Sequence, residues 1–210
     1  ELARRLLPDA RLVVGGTAVS IFGKTIVRKS PTDTVVVIGD GEKALLSVVD
    51  GFNGCNPPAG HYWYKDAAGT IIHRPADENF DLARLTAVDF PYIESIFPGF
   101  REYLDGTIGV HTKRGCPFMC HFCLYNKIEG DRQRYRDAAE VAKEVEVLSK
   151  VYGVKHIWFT DAQFCSTRRS TQHVEAILDE MIARQVKVRW TGYLRLNHLT
   201  HDIAAKMLAT

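Results

Sequence analysis

Nowhere does the 210-residue sequence approach the roughly eighteen uninterrupted apolar residues that a membrane-crossing helix needs, so no membrane span is expected. It also lacks an excess of charge. Its 27 Lys and Arg are nearly balanced by 25 Asp and Glu, leaving a formal net charge of +2, so no nucleic-acid surface is expected. No basic segment followed by a short apolar core opens the chain, so no secretory signal is read. Cysteine is scarce and odd in number, five in all with three close together, which is not the pattern of a secreted disulfide framework. A reducing cytoplasm is the expected location. Neither a G-x-G-x-x-G fingerprint nor a phosphate-loop lysine motif occurs: Gly39 and Gly41 lead to Leu45 and Leu46 with no third glycine, which excludes a dinucleotide reading.

What is present is an ordinary globular composition, 46% hydrophobic and 25% charged, in a length that allows one and a half to two domains. The chain starts at Glu1 rather than methionine and ends at Ala209-Thr210 inside a helical pattern, so a fragment is expected. Arg11 to Gly16 and Thr34 to Gly39 are short apolar runs ending in glycine, and both read as buried parallel strands of an open α/β sheet. Small-residue turns follow each, Thr17 to Ser20 and Asp40 to Glu42, the second leading into a helix over Lys43 to Val49. Glycines at such strand ends either let a ligand approach the backbone or simply make tight exits. Asp50 to Pro58 reads as a loop in which Cys55 is incidental. His61 to Lys65 and Thr70 to Arg74 flank Asp66-Ala67-Ala68-Gly69 as a hairpin, with Tyr62, Trp63 and Tyr64 covering a core edge; Asp81 to Pro98 reads as an irregular linker.

The second half alternates strand and helix three times. Thr107 to Thr112 is the first strand, and a helix starting at Asp137 and Glu140 carries Val141, Val145 and Leu148 at helical spacing until Gly153. Val154 to Thr160 is the second strand, followed by a helix whose Val174, Ile177, Leu178, Met181 and Ile182 form a core stripe. Val186 to Leu194 is the third, before a helix capped by Thr200 or Asp202 and containing Ile203 and Met207. Such alternation implies parallel strands with right-handed crossovers, and three units cannot close a barrel.

Between the first strand and its helix lies Cys116-Pro117-Phe118-Met119-Cys120-His121-Phe122-Cys123. Spacings of this kind let one loop wrap its thiolates around a soft-metal centre. Zinc held by the three cysteines and His111 or His121 is one option, although His121 is awkwardly placed between two ligands and no second cysteine pair follows. The other is a cubane iron–sulfur cluster, in which three thiolates leave one iron open for reaction.

The motif C-x-x-x-C-x-aromatic-C, matched by Cys116, Cys120, Phe122 and Cys123, resembles the signature of the radical S-adenosylmethionine enzymes. That resemblance implies a [4Fe-4S] cluster on Cys116, Cys120 and Cys123 whose open iron is chelated by S-adenosylmethionine and whose electron cleaves it to a 5′-deoxyadenosyl radical. It places Phe122 near the adenine. It makes Thr160 and Asp161, at the end of Trp158-Phe159-Thr160-Asp161, and Arg195 candidates for contacts to S-adenosylmethionine, although Asp161 could equally cap a helix. Arg134-Tyr135-Arg136-Asp137 and Arg195 look like the cobalamin-binding branch, or else form salt bridges. Cys165, near the second strand exit, reads as a buried structural thiol.

The upstream half is similar to the closing strands of cobalamin-binding domains, with Val13-Val14-Gly15-Gly16 and Val36-Val37-Ile38-Gly39-Asp40-Gly41-Glu42, where Asp40 replaces the usual glutamate. Gly15, Gly16, Thr17, Gly39, Gly41 and Glu42 are the implied cobalamin contacts. The D-x-H-x-x-G motif that supplies a cobalt ligand in some relatives is absent from this sequence. The expected fold class is α/β: residues 1–52 as the carboxyl-terminal part of a Rossmann-like cobalamin-binding domain, residues 53–105 as hairpin and linker, and residues 106–210 as the first half of a partial (β/α)6 TIM-like radical barrel. The implied activity is methylation of an unactivated carbon or phosphinate phosphorus through methylcobalamin, on a small biosynthetic intermediate. A flavodoxin or ferredoxin would donate the electron. A ring-forming, ring-contracting or oxidoreductase relative without methyl transfer, and a non-catalytic zinc or iron–sulfur module, are the alternatives. No catalytic residue beyond the cofactor contacts is assigned.

Overall fold

Val35–Val37 and His156–Phe159 are the inner strands of two separate sheets, because valine, isoleucine and phenylalanine there can be covered by neighbours in the sheet and by helices. The structure, a computed structural model, describes residues 2–52, 60–75 and 80–210. It forms two compact units, Glu1–Phe80 with Phe122–Glu129, and Asp81–His121 with Gly130–Thr210.

The first unit runs α1 (Leu2–Leu6), β1 (Val13–Val14), α2 (Thr17–Lys29), β2 (Val35–Val37), α3 (Gly41–Phe52), β3 (Tyr62–Lys65) and β4 (Ile71–Arg74). Its sheet has the order β1-β2-β3-β4, parallel between β1 and β2 and antiparallel thereafter. The parallel pair is as expected, but β1 is not buried: it is an edge strand, and Val13 is 37% exposed. Val19 and Val27 of α2 pack with Val36 on one face of the sheet, while Ala44 and Val48 of α3 pack with Val37 and Tyr62 on the other. Residues Thr17 to Ser20, expected as a turn, open the thirteen-residue helix α2 instead. The helix lies close to the sheet because Gly23 has no side chain; a Cβ there would collide with Ile38 and sit 3.6 Å from Trp63. Helix α3 begins earlier and ends later than expected, at Phe52. The rest of the expected loop, Cys55 included, lies outside the described residues. The hairpin is as expected: Asp66 Oδ1 accepts from the amides of Ala68 and Thr70, and Gly69 takes a φ of +82°.

The second unit continues with α4 (Phe90–Ile96), α5 (Phe100–Tyr103), β5 (Thr107–Val110) and β6 (Lys113–Arg114). After α6 (Tyr125–Ile128), which belongs to the first unit, come β7 (Arg134–Tyr135) and α7 (Ala138–Glu146), the latter widening to a π-helical turn over Val147–Val151. The last elements are β8 (His156–Phe159), α8 (Arg168–Ala183), β9 (Arg189–Gly192) and α9 (His201–Ala209). Strands β5, β8 and β9 form an all-parallel sheet in the order β5-β8-β9, and β6 pairs antiparallel with β7. One sheet face is covered: Val110, Ile157 and Phe159 pack against Val141, Val145 and Leu148 around α7 and Val174, Ile177, Leu178 and Met181 of α8. On the opposite face Gly109, Trp158 and Thr191 stand in one row, and Trp158 is 42% exposed.

Two local expectations need correction. Asp81 to Pro98 is not irregular throughout, since Asp89 caps α4 by accepting from the Tyr92 amide at 3.0 Å and Pro91 fits its first turn. Ile182 is not in the core stripe but 39% exposed. No helix among the described residues is long and apolar enough to cross a membrane.

Candidate radical cofactor site

Because β5, β8 and β9 are parallel, their carboxyl ends share one edge, where parallel α/β sheets build their sites. The cysteine loop leaves from that edge through β6. Gly115, at a φ of +91°, makes the entry turn, and the Cys116 amide donates to the Gly130 carbonyl at 3.0 Å. Neither helix nor strand forms between Gly115 and Leu124. Cys116 is buried, Cys120 exposed and Cys123 half-buried, all as free thiols. Among the described residues no three His, Cys, Asp or Glu side chains are grouped closely enough to hold an ion. Three free thiols on one loop are the soft donor set that an iron–sulfur centre takes, so the residues fit such a group.

Asp161 is committed to the chain itself. Its Oδ1 accepts from the Thr112 amide at 2.8 Å and the Lys113 amide at 3.2 Å, and its Oδ2 from Thr112 Oγ1 at 2.6 Å and Lys113 Nζ at 2.9 Å. Lys113 Nζ also donates to the Phe164 carbonyl at 2.9 Å and lies 5.5 Å from the centre of the Phe164 ring. The pair is buried, with side chains 2% and 1% exposed. The helix-capping role open to Asp161 falls instead to Thr167, which starts α8 in a reciprocal box with Ser170. Gln133, just before β7, ties that cap down by donating to Ser166 Oγ at 3.0 Å and accepting from Thr167 Oγ1 at 3.1 Å.

Of the other expected contacts, Arg195 places its guanidinium 4.5 Å from the centre of the Phe118 ring inside the cysteine loop, and its amide donates to the Cys165 carbonyl. Thr160 lies over Gly109, where a Cβ would come within 2.9 Å of its methyl group. Phe122 is 90% exposed. Arg136 takes the salt-bridge role: it is buried, pairs with Glu144 at 2.6 Å and donates to the carbonyls of His111 and Thr86. Burial first, then the Arg114 and Arg136 cations, lowers the His111 pKa from its ordinary value. Burial pushes the Cys165 thiol up to about 11, which fits an inert structural cysteine.

In the first unit the two glycine turns sit at the carboxyl ends of β1 and β2. Gly16 has a φ of +102° and Gly39 of +68°, while Thr17 and Gly41-Glu42 open α2 and α3. A Cβ at Gly16, Gly39 or Gly41 would meet nothing within 4 Å, so these backbones face open space. Ser20 links the two turns, accepting from the Gly39 amide at 3.0 Å and donating to the Gly16 carbonyl at 3.3 Å. Sequence reasoning missed Ser20, Thr112 and Lys113. A serine in the first turns of a helix and a charged residue after a strand carry no signal of a buried partner.

A parallel half-barrel with a cysteine loop at its edge in one unit, and a sheet flanked by helices in the other, are the folds met in solved cobalamin-dependent radical S-adenosylmethionine enzymes. Solved OxsB with aqua-cobalamin bound matches 99% of this chain over 30% of its own length, with a TM-score of 0.73 and 18% identity. Solved TsrM from Kitasatospora setae, a radical S-adenosylmethionine methyltransferase with cobalamin and a [4Fe-4S] cluster bound, matches 96% of this chain over 41% of its own, with a TM-score of 0.70 and 21% identity. No family model matches the sequence. Among curated proteins, an uncharacterised methyltransferase of Pyrococcus horikoshii is 25% identical over 99% of this chain and 44% of its own length. The anaerobic magnesium-protoporphyrin IX monomethyl ester cyclase of Cereibacter sphaeroides is 28% identical over 96% and 33%. The resemblance drawn from the cysteine motif is met in both sequence and fold. The chain spans less than half the length of these relatives.

Proposed function

We propose that this chain is a segment of a cobalamin-dependent radical S-adenosylmethionine enzyme that methylates an unactivated carbon or a phosphinate phosphorus of a small biosynthetic intermediate. The observation that carries the reading is the C-x-x-x-C-x-aromatic-C loop at the carboxyl edge of a parallel sheet with this fold. When bound, the cluster and S-adenosylmethionine supply a carbon-centred radical and cobalamin carries a methyl group.

The chain's own residues would do the following. Cys116, Cys120 and Cys123 supply three thiolates. Phe122 offers an exposed aromatic face for the adenine, and Arg195, fixed on Phe118, brings a cation to the loop where a carboxylate can be held. Thr160 lies at the end of β8, over Gly109; Asp161 acts on the loop rather than on the ligand, since four donors already occupy its oxygens. Gly15, Gly16, Thr17, Gly39, Gly41 and Glu42 would pass the cobalamin tail between two helix starts, with Ser20 holding the turns at a set spacing. In domain terms, residues 1–52 would be the partial cobalamin domain, 53–105 the hairpin and linker, and 106–210 the half-barrel. A flavodoxin or ferredoxin in a reducing cytoplasm would supply the electron.

Anaerobic reconstitution with iron and sulfide should give a brown protein holding about four irons and four sulfides per chain, with a spectrum altered by S-adenosylmethionine. Cys120→Ala should abolish both. Bound zinc without colour would overturn the reading. The curated cyclases among the relatives favour one second reading, radical chemistry without methyl transfer. Product mass separates the two: a gained methylene supports transfer, and an unchanged or oxidised skeleton supports the cyclase-like outcome.

A further inference from the structure

A buried ion pair is a poor device for stability alone, because desolvating both charges offsets most of their attraction and apolar replacements are often neutral or better. Lys113 and Asp161 are nonetheless almost wholly buried and 2.9 Å apart, and Lys113 stands three residues before the first cysteine. What the pair offers over apolar packing is direction. One carboxylate gathers two amides, a hydroxyl and an ammonium group, all from Thr112 and Lys113, while the ammonium group reaches on to the Phe164 carbonyl. The exit of β5 is thereby tied to the exit of β8 at several points and in one register. Beyond Lys113 the β6–β7 ribbon of two residues each and the Cys116-to-Gly130 bond carry the hold into the loop. His173 of α8 adds a contact to the same strand end, its Nε2 standing 3.3 Å from the Thr112 carbonyl.

We infer that Lys113 and Asp161 are positioning residues that fix the root of the cysteine loop, holding Cys116 in its buried place so that the loop closes on its cofactor from one geometry. The cofactor part rests on the function proposed above; the loop part does not.

The test uses the whole 210-residue chain and a neutral double variant, Lys113→Met with Asp161→Asn, which leaves no lone buried charge. Thr112→Val, which removes only the hydroxyl bond to Asp161 Oδ2 and strands no charge, serves as the conservative control. Peptide-resolved alkylation of the cluster-free chain reads the loop directly. Charge-assisted hydrogen bonds are lost in the double variant, so Cys116 should alkylate about tenfold faster or more, with the single variant between it and the native chain. The core amides of α8 from Ile177 to Met181, whose residues share no hydrogen bond with the pair, should keep their hydrogen-exchange protection, and exposed Cys120 serves as the fast reference. In the reconstituted chain, chelator-driven bleaching should accelerate by about 10- to 100-fold, as for other residues that orient ligands.

Unchanged Cys116 alkylation in the double variant overturns the inference. So does a parallel loss of protection from Ile177 to Met181, which marks general loosening. If the double variant does not fold, the single variant decides by the same two measurements. A native chain that takes up no iron would refute the proposed function, while the thiol measurement would still decide the role of the pair.

Discussion

Gly115→Ala tests how tightly the loop entrance is built. At a φ of +91° an alanine is strained, at about 1–2 kcal/mol for a left-handed residue with a Cβ. The new methyl would also lie inside van der Waals contact of the Arg132 carbonyl oxygen, 2.8 Å from its carbon and 3.3 Å from the Gly130 oxygen. These are backbone atoms and cannot rotate away. Overpacking of this kind adds about 1–3 kcal/mol, giving about 2–5 kcal/mol together. For a chain of this length that lowers the melting temperature by roughly 5–15 °C. Thermal unfolding by circular dichroism measures the total. Hydrogen exchange at the Cys116 amide localises it, because that amide's bond to Gly130 is the first to be forced open. Melting within about 2 °C of the native chain, with Cys116 still protected, would refute the reasoning.

Other perturbations follow from the same geometry. Arg136→Met leaves the Glu144 carboxylate buried without its cation, although the Val88 amide still donates to it, and should destabilise the chain by about 3–5 kcal/mol in urea titration. Ile177→Ala removes a fully buried side chain from the α7–α8 core and should lower stability by about 2–5 kcal/mol by the same measurement. His111 and His173 both have pKa values lowered from 6.5, chiefly by burial. The unfolded chain therefore binds more protons below pH 6.5, so their contribution is complete above that pH and declines as pH falls through it. Urea midpoints measured across that range should fall toward acid, and His173→Gln should flatten the slope. A midpoint that rises toward acid would contradict this.

The features read correctly beforehand are those whose cause is local. Three cysteines spaced along one loop, the Asp66 and Gly69 turn, the Asp137 and Thr200 helix starts, and the stripe from Val174 to Met181 all depend on residues a few positions apart. Spacing and side-chain chemistry suffice for these. Helix α2 escaped because its buried face is Val19, Gly23 and Val27, a stripe interrupted by a residue that disfavours helices. That glycine makes sense only when Ile38, fifteen positions on, is seen against it. The role of Asp161 depended even more on the fold, since its donors Thr112 and Lys113 are 49 and 48 residues away in sequence.

The sequence by itself therefore determined that three thiols share one loop after a strand and that strands and helices alternate, because both are written in short-range spacing. Only the tertiary structure decided that Asp161 gathers the amides of Thr112 and Lys113, that Arg136 is a buried strut, and that Ser20 bridges the two glycine turns. A buried polar group takes whichever partner the packed chain brings within hydrogen-bond reach, and that partner comes from elsewhere in the sequence.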